Sequence, residues 1–295
     1  MNKNIPLHTI PLWTFELALN KSEREYIKSY YHAPEEFIEI HTHNFYEINI
    51  ITSGKGTHVI NEKAIDVSGS EVFVIPPGVK HGYFSEEGLT IYHILLSETF
   101  TSKHFPDLKK IEGFSTLFEI EPILRSRLEK GFFLRLNKED RSKVNEIIDE
   151  IEKADDVTAS FVVLFLIALL AKKMSFIKNG LSGEKITANA LTLIESMEQI
   201  ELNFSSKLNF KDLAKRCAFS YSTYLRLFKK HSGLTPLEYQ RRCQLKEATL
   251  LLHDTSETVS SIANKCGFYD SAHFIREFKK KYNCTPTEYK KKRGN

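Results

Sequence analysis

The last ninety or so residues contain one pattern twice, and this repeat limits the fold more than any other feature of the chain. Three motifs recur in the same order, with an offset of 49 residues in the first motif and 50 in the other two. A spaced repeat of this kind indicates a duplicated structural unit. The first copy reads Asp212-Leu-Ala-Lys-Arg-Cys-Ala-Phe, Arg226-Leu-Phe-Lys-Lys and Thr235-Pro-Leu-Glu-Tyr, and the second reads Ser261-Ile-Ala-Asn-Lys-Cys-Gly-Phe, Arg276-Glu-Phe-Lys-Lys and Thr285-Pro-Thr-Glu-Tyr.

Each copy predicts two short helices joined by a tight turn. In the second copy, Thr258 and Asp270 are placed to cap the two helices, and Gly267 supplies the left-handed residue that ends the first. Phe274 and Phe278 recur at helical spacing, so they form the buried stripe of the second helix. The first copy follows the same plan, with Asn209 as the cap of its first helix. Two helices joined in this way are the DNA-reading unit of helix-turn-helix proteins.

A Thr-Pro-x-Glu motif follows each unit, from Thr235 to Glu238 and from Thr285 to Glu288. Threonine as N-cap, proline at the first helical position and glutamate at the third predict the start of another helix. The first of these helices, about Pro236 to His253, connects the two units.

Charge divides the chain into two unlike parts. Residues 205–295 contain 19 Lys and Arg against 8 Asp and Glu, a net charge of +11, whereas the preceding residues carry −8. A positive surface on a repeated helix-turn-helix indicates binding to a phosphate backbone.

These motifs resemble those of the AraC/XylS family of transcriptional regulators. The residues that carry the resemblance are Ile262-Ala-Asn-Lys-Cys-Gly-Phe, Phe274-Ile-Arg-Glu-Phe-Lys-Lys and Thr285-Pro-Thr-Glu-Tyr. The resemblance implies a DNA-binding domain of about a hundred residues, double-stranded promoter DNA as a partner, and RNA polymerase as a further partner of an activator. It also implies a homodimer.

Helix geometry predicts which side chains face the DNA. With Tyr224, Phe228, Phe274 and Phe278 inward, the opposite face lies near the N-terminus of each second helix. Arginine can bind a guanine edge with two hydrogen bonds, and an aliphatic side chain can pack on a thymine methyl. The two arginines could instead contact phosphates or form internal ion pairs. The predicted DNA-binding residues are Tyr221, Ser222, Leu225 and Arg226 in the first copy, and Ser271, Ala272, Ile275 and Arg276 in the second.

The segment from Phe37 to Leu96 predicts a small barrel or jelly roll of short strands. Apolar or alternating runs are separated by the turn-forming segments Ser53-Gly-Lys-Gly, Val67-Ser-Gly-Ser and Pro76-Pro-Gly. The expected strands are Glu47 to Thr52, Thr57 to Ile60, Val72 to Ile75 and Leu89 to Leu96.

One cluster of residues in this segment has the chemistry of a binding site. His41, His43, Glu47 and Asn49 share strand parity and so face one side, and His81 follows the Pro76-Pro-Gly turn. This pattern resembles the two motifs of the cupin barrel, whose three histidines and glutamate can hold a divalent metal. Two interpretations remain open. His41, His43, Glu47 and His81 either bind a metal such as Zn, Mn, Fe or Ni, or they join Asn49 in lining an effector pocket or in tying the barrel together.

The region from Pro106 to Asn179 predicts helices, including the apolar run Phe161 to Ala171. A helix that is apolar all round is buried, against the barrel or a second subunit. Eleven apolar residues are too few to cross a bilayer, and no secretory signal is visible, so we expect a cytoplasmic protein without a membrane partner. By the family resemblance this helix is the dimerisation helix.

The sequence therefore predicts an α+β multidomain protein. We expect a cupin-like effector-binding barrel (1–105), helical dimerisation region (106–179), linker (180–186) and all-α DNA-binding domain with two helix-turn-helix units (187–295). The expected function is ligand-responsive regulation of transcription, and the resemblance implies a small effector such as a sugar and control of carbohydrate-utilisation genes. The alternatives are a metal-dependent cupin enzyme with a basic appendage and a ligand-independent DNA binder. The duplicated unit argues against the enzyme, which needs no such repeat.

Overall fold

The N-terminal part of the chain is a sheet built around two long neighbouring strands. The computed structural model describes residues 11–15, 27–33, 37–125, 133–180, 188–254 and 257–291. Within these ranges the strands are β1 (Leu12–Trp13), β2 (Ile27–His32), β3 (Phe37–His43), β4 (Tyr46–Ile60), β5 (Lys63–Ser68), β6 (Glu71–Ile75), β7 (His81–Leu96) and β8 (Leu134–Arg135). The sheet order is β1-β3-β7-β4-β6-β8, with β2 also paired to β7 and β5 to β4. This sheet-rich domain, followed by helices, confirms the predicted α+β class.

The predicted break between two strands at Ser53–Gly56 is wrong, because β4 runs through it. The strand bends here instead of turning, and its register with β7 shifts at several points between Ile51 and Gly56. Gly54 has a φ of +76°, and a Cβ atom on it would lie 2.2 Å from the carbonyl oxygen of Gly88. Glycine thus permits a bulge in the place where composition suggested a loop.

Helices cover the sheet on the side away from the barrel interior. They are α1 (Glu98–Leu108), a π-helix (Thr116–Ile120), α2 (Glu121–Arg125), α3 (Lys138–Lys153) and α4 (Asp156–Gly180). The expected domain boundary at residues 105 and 106 falls inside α1, so the helical region begins at Glu98, several residues earlier than predicted. Residues 181–186 of the predicted linker lie outside the described residues, and Gly180 is the last residue of α4.

The expectation that α4 is buried all round is wrong. One face, including Leu166 and Leu170, is fully buried, but Val157, Phe161 and Phe165 are 68%, 67% and 53% exposed. The apolar part is also longer than the eleven-residue run. By length and composition alone, the part from Asp156 to Ser175 could cross a membrane, and 39% of its most apolar window is buried within the protein.

The C-terminal helices match the predicted duplication closely. They are α5 (Ala188–Leu202), α6 (Phe210–Arg216), α7 (Tyr221–Ser232), α8 (Pro236–Asp254), α9 (Val259–Lys265), α10 (Ser271–Tyr282) and α11 (Pro286–Lys291). Asn209, Thr258 and Asp270 cap helices with their side chains, as predicted. Both Thr-Pro-x-Glu motifs form capping boxes, in which the glutamate accepts the threonine N–H at 2.7 Å.

The two parts of the chain share one apolar core. The largest cluster of buried side chains runs from the outer face of β4 through the covering helices to the buried residues of α5–α8. α1 packs against α8, and α2 packs against α7. The first helix-turn-helix unit and the connecting helix α8 therefore rest directly on the helices that cover the sheet.

Candidate effector site and nucleic-acid interface

Glu47 lies at the centre of a buried histidine cluster inside the barrel. Its Oε2 atom is 3.2 Å from Nε2 of His43 and 3.0 Å from Nε2 of His81, and its Oε1 atom is 2.6 Å from Nδ1 of His93. The four side chains are at most 4% exposed. β4 supplies the glutamate, β3 supplies His43, and β7 supplies His81 and His93.

Backbone carbonyls orient three of the rings with Nε2 toward the interior. A carbonyl only accepts hydrogen bonds, so each Nδ1 in such a pair carries the proton. A neutral imidazole has a single N–H, which leaves a lone pair on Nε2. The pairs are His41 Nδ1 with the Glu39 oxygen at 2.8 Å, His43 Nδ1 with the Phe45 oxygen at 2.8 Å, and His81 Nδ1 with the Val79 oxygen at 3.3 Å.

Burial and charge act in opposite directions within the cluster. Burial, with a smaller contribution from neighbouring His81, lowers the pKa of His41 to about 3, and burial also lowers the pKa of His81. Burial alone would raise the pKa of Glu47, but His43, His81 and His93 together hold it well below its usual range. Glu47 is therefore a carboxylate with the Nε2 atoms of His43 and His81 about 3 Å away. Such an arrangement is stable only with a proton or a cation among these atoms.

The donor set fits a divalent metal ion. One ligand atom from each of His41, Glu47 and His81 lies within 4.8 Å of the other two, and Nε2 of His43 is also near Glu47. Imidazole nitrogens with one carboxylate oxygen suit Zn, Mn, Fe or Ni. The structure thus brings together all four residues predicted from the sequence.

Asn49, the fifth predicted effector residue, lies in the same interior and is fully buried. Its Nδ2 donates to the Tyr83 hydroxyl at 3.0 Å, and its Oδ1 has no hydrogen-bond partner among the described residues. Either assignment of the amide leaves one of its polar atoms unpaired. A polar ligand or a water molecule would satisfy it.

Sequence reasoning missed two histidines of this interior, His58 and His93. Both ring nitrogens of His58 and Nε2 of His93 are buried, and the part of the chain that the structure describes offers them no hydrogen-bond partner. The His58 ring stacks on Tyr83 with centroids 4.2 Å apart. His93 shares strand parity with His81, which could have indicated it. The bulges in β4 interrupt the alternation of its side chains. Counting from Glu47 therefore places His58 on the wrong face of the strand.

The predicted DNA-reading faces of α7 and α10 are open to solvent. Tyr224, Phe228, Phe274 and Phe278 are at most 1% exposed, so both helices turn the expected faces inward. Within the described residues neither predicted arginine forms an ion pair. Of the eight predicted residues, Leu225 and Ser271 are half-buried and the other six are exposed, namely Tyr221, Ser222, Arg226, Ala272, Ile275 and Arg276.

Local sequence fixes the start and end of both helices. Ser220 and Asp270 cap α7 and α10 by accepting the backbone N–H of the third residue of each helix. Gly233 and Asn283 end them in the left-handed conformation. α8 then holds the two units at a fixed separation.

Comparison with known proteins relates both regions to described domain types. Residues 213–292 match the helix-turn-helix domain family, and residues 27–107 match the AraC-like ligand binding domain family. The chain is 28% identical over 267 residues to the HTH-type transcriptional activator RhaS of Enterobacter sp. (strain 638), covering 88% of this chain and 90% of that protein. It is 27% identical over 268 residues to the activator of the same name from Salmonella arizonae, with the same coverage. A crystal structure of an AraC-type regulator from Chromobacterium violaceum aligns with 31% identity and a TM-score of 0.33, over 35% of this chain and 93% of that one.

Proposed function

Since this chain belongs to the AraC family of DNA-binding transcriptional regulators, we propose that it activates transcription by inserting α7 and α10 into the major groove of promoter DNA. The observation that carries this proposal is the pair of solvent-exposed helix faces, each followed by exposed lysines, joined by the single helix α8. The residues proposed to contact DNA are Tyr221, Ser222, Leu225, Arg226, Ser271, Ala272, Ile275 and Arg276.

Mapping of the bound DNA across the genome, followed by affinity measurements on the sites found, tests this proposal. We expect a small set of promoter sites and an affinity that falls steeply with salt, because several phosphates are contacted. A protein without preferred sites, or one whose affinity does not change with salt, would contradict it. The genes beside the sites also test the proposed link to carbohydrate use.

The buried cluster is proposed as the effector site, with His41, His43, Glu47, Asn49 and His81 in contact with the ligand or with a metal that helps to hold it. The convergence of Nε2 lone pairs on a carboxylate supports a divalent ion, held by the three histidines and Glu47. Such an ion would supply a Lewis-acidic point for an oxygen atom of the effector. Asn49 would then bind a second polar group of the same molecule.

Metal analysis of purified protein separates the two versions of this proposal. The double variant His41→Ala/His43→Ala should lose the response to effector, while His104→Ala, outside the barrel, serves as the control. If metal is near-stoichiometric in the wild type and absent from the double variant, these residues are metal ligands. If the response is lost and neither protein contains metal, the histidines contact the effector directly. A normal response in the double variant would show that the cluster is structural.

We also propose that the protein is a homodimer that pairs through the exposed apolar stripe of α4. Val157, Phe161 and Phe165 recur every four residues and form one line on the helix surface, and a two-fold related copy offers the same line in return. Phe161→Glu should give a folded monomer in sedimentation experiments. Leu166→Glu, at a fully buried position of the same helix, should instead unfold the domain. A dimer unaffected by Phe161→Glu would rule out this face.

As a regulator, the protein is proposed to act in the cytoplasm, with RNA polymerase as its partner at the promoter and without catalytic activity. In this proposal α4 is a core and interface helix, not a membrane span. Its fully buried face against the covering helices supports that role.

A further inference from the structure

A pair of oppositely directed ion pairs joins the helices of the sensory domain to α8. Lys246 on α8 donates to the Glu119 carboxylate of the π-helix. Its neighbour Glu247 accepts from Lys109, at the end of α1, at 2.8 Å. Adjacent residues of α8 thus pair with groups of opposite sign, Lys246 with an anion and Glu247 with a cation. This order of charges specifies one placement of α8 on the sensory domain.

The same contact reaches the strand that carries Glu47. Tyr46 Oη is 3.5 Å from Oε1 of Glu119, and the Lys246 ammonium is 5.0 Å from the centroid of the Tyr46 ring. Tyr46 and Glu47 are consecutive residues of β4, so their side chains point to opposite faces of the strand. A shift of β4 at the histidine cluster must therefore move the phenol against Lys246.

The charged groups keep their charges in this contact. Burial alone would raise the pKa of Glu119, but Lys246 and Lys109 hold it below its usual range. Burial alone would lower the pKa of Lys109, and Glu247 raises it instead.

The exposure of these groups distinguishes the contact from a purely structural ion pair. The Lys246 side chain is 25% exposed, and Lys246, Glu119 and Tyr46 line a cavity of about 760 Å³ between the barrel and α8. Water can therefore solvate the ions when they separate. By contrast, Arg125 and Glu121 form a pair that is at most 1% exposed, and its separation would leave charges buried.

We propose that Glu119, Lys246 and Tyr46, with Lys109 and Glu247 beside them, form a releasable interdomain latch that holds α8 in the effector-free arrangement. The inference rests on the proposed function, because it needs an effector that acts at the cluster. Since α8 connects the two helix-turn-helix units, the latch sets the position of both at once. Effector binding at Glu47 opens it through Tyr46, in a two-state equilibrium that favours the DNA-competent arrangement.

The test uses the full-length protein and a reporter driven by one of its mapped promoter sites. Glu119→Gln and Lys246→Met should each raise transcription without effector, on the order of tenfold. The double variant should be no more active than either single one, because both remove the same contact. Lys55→Gln/Glu87→Gln removes an exposed pair within the barrel domain and serves as the control, with wild-type transcription expected.

Hydrogen exchange gives a second readout that does not depend on transcription. Opening of the latch should increase exchange in α8 and the π-helix of Glu119→Gln while the barrel strands keep their protection. Should that variant fold poorly, Glu247→Gln, on the partly exposed second pair, replaces it.

The latch would be overturned if the folded variants showed the same hydrogen exchange and the same basal transcription as the wild type. A loss of activation would overturn it equally, because the pair would then belong to the active arrangement. In both cases intact operator binding by the wild type would leave the proposed function standing. A wild type without operator binding would reject that function instead.

Discussion

Replacement of Gly267 by alanine should destabilise the second helix-turn-helix unit strongly. Gly267 has a φ of +76°, and a Cβ atom there would lie 2.1 Å from the carbonyl oxygen of Ser205. The left-handed conformation costs a residue with a side chain about 1–2 kcal/mol, and a misfit in a packed site costs a further 1–3 kcal/mol or so. We therefore expect a loss of about 2–5 kcal/mol in the free energy of unfolding.

The equivalent position of the first unit provides the matched control. Ala218 also has a positive φ, +56°, but it is exposed and already carries a Cβ atom. Ala218→Gly should relieve strain and leave stability unchanged or raised by up to about 1 kcal/mol. Urea denaturation followed by circular dichroism at helical wavelengths measures both variants. A loss below about 0.5 kcal/mol in Gly267→Ala would refute the reasoning, since the chain would have absorbed the overlap.

Two further predictions concern the capping boxes and pH. Thr235→Ala and Thr285→Ala should each cost about 0.5–2 kcal/mol of stability in the same denaturation assay, because each removes an N-cap. Burial lowers the pKa of His58 well below its usual range, so the folded barrel holds this ring neutral while the unfolded chain takes up a proton below pH about 6.5. The free energy of unfolding should therefore fall as the pH drops below about 6.5. In His58→Phe, thermal melts should show that this free energy depends less steeply on pH than in the wild type, by up to about 1.4 kcal/mol per pH unit.

The sequence was most informative where local chemistry decides the structure. The caps at Asn209, Thr258 and Asp270 and the two capping boxes depend on residues two or three positions apart, so a single sequence is enough to predict them. The aromatic stripes of α7 and α10 follow from helical spacing for the same reason.

It was least informative where distant segments meet. The strand break predicted at Ser53–Gly56 is wrong because glycine is compatible with a bulge as well as with a turn. Pairing with β7 produces the bulge here. His58 joins the cluster through that pairing, which no local pattern shows. The partial exposure of α4 depends on how it packs against other elements of its own domain, and the contact between Glu119 and Lys246 depends on how the two domains meet. These features become visible only in the folded chain.

The base preferences of two arginine variants show whether α7 and α10 read DNA. The affinity of full-length wild type, Arg226→Ala and Arg276→Ala should be measured on a mapped operator and on versions of it with each base pair changed in turn. We expect a loss of about 1–3 kcal/mol for each variant and a relaxed preference at two separate groups of base pairs about one helical turn apart. Equal affinity of all three proteins for every sequence would contradict the claim that α7 and α10 read DNA.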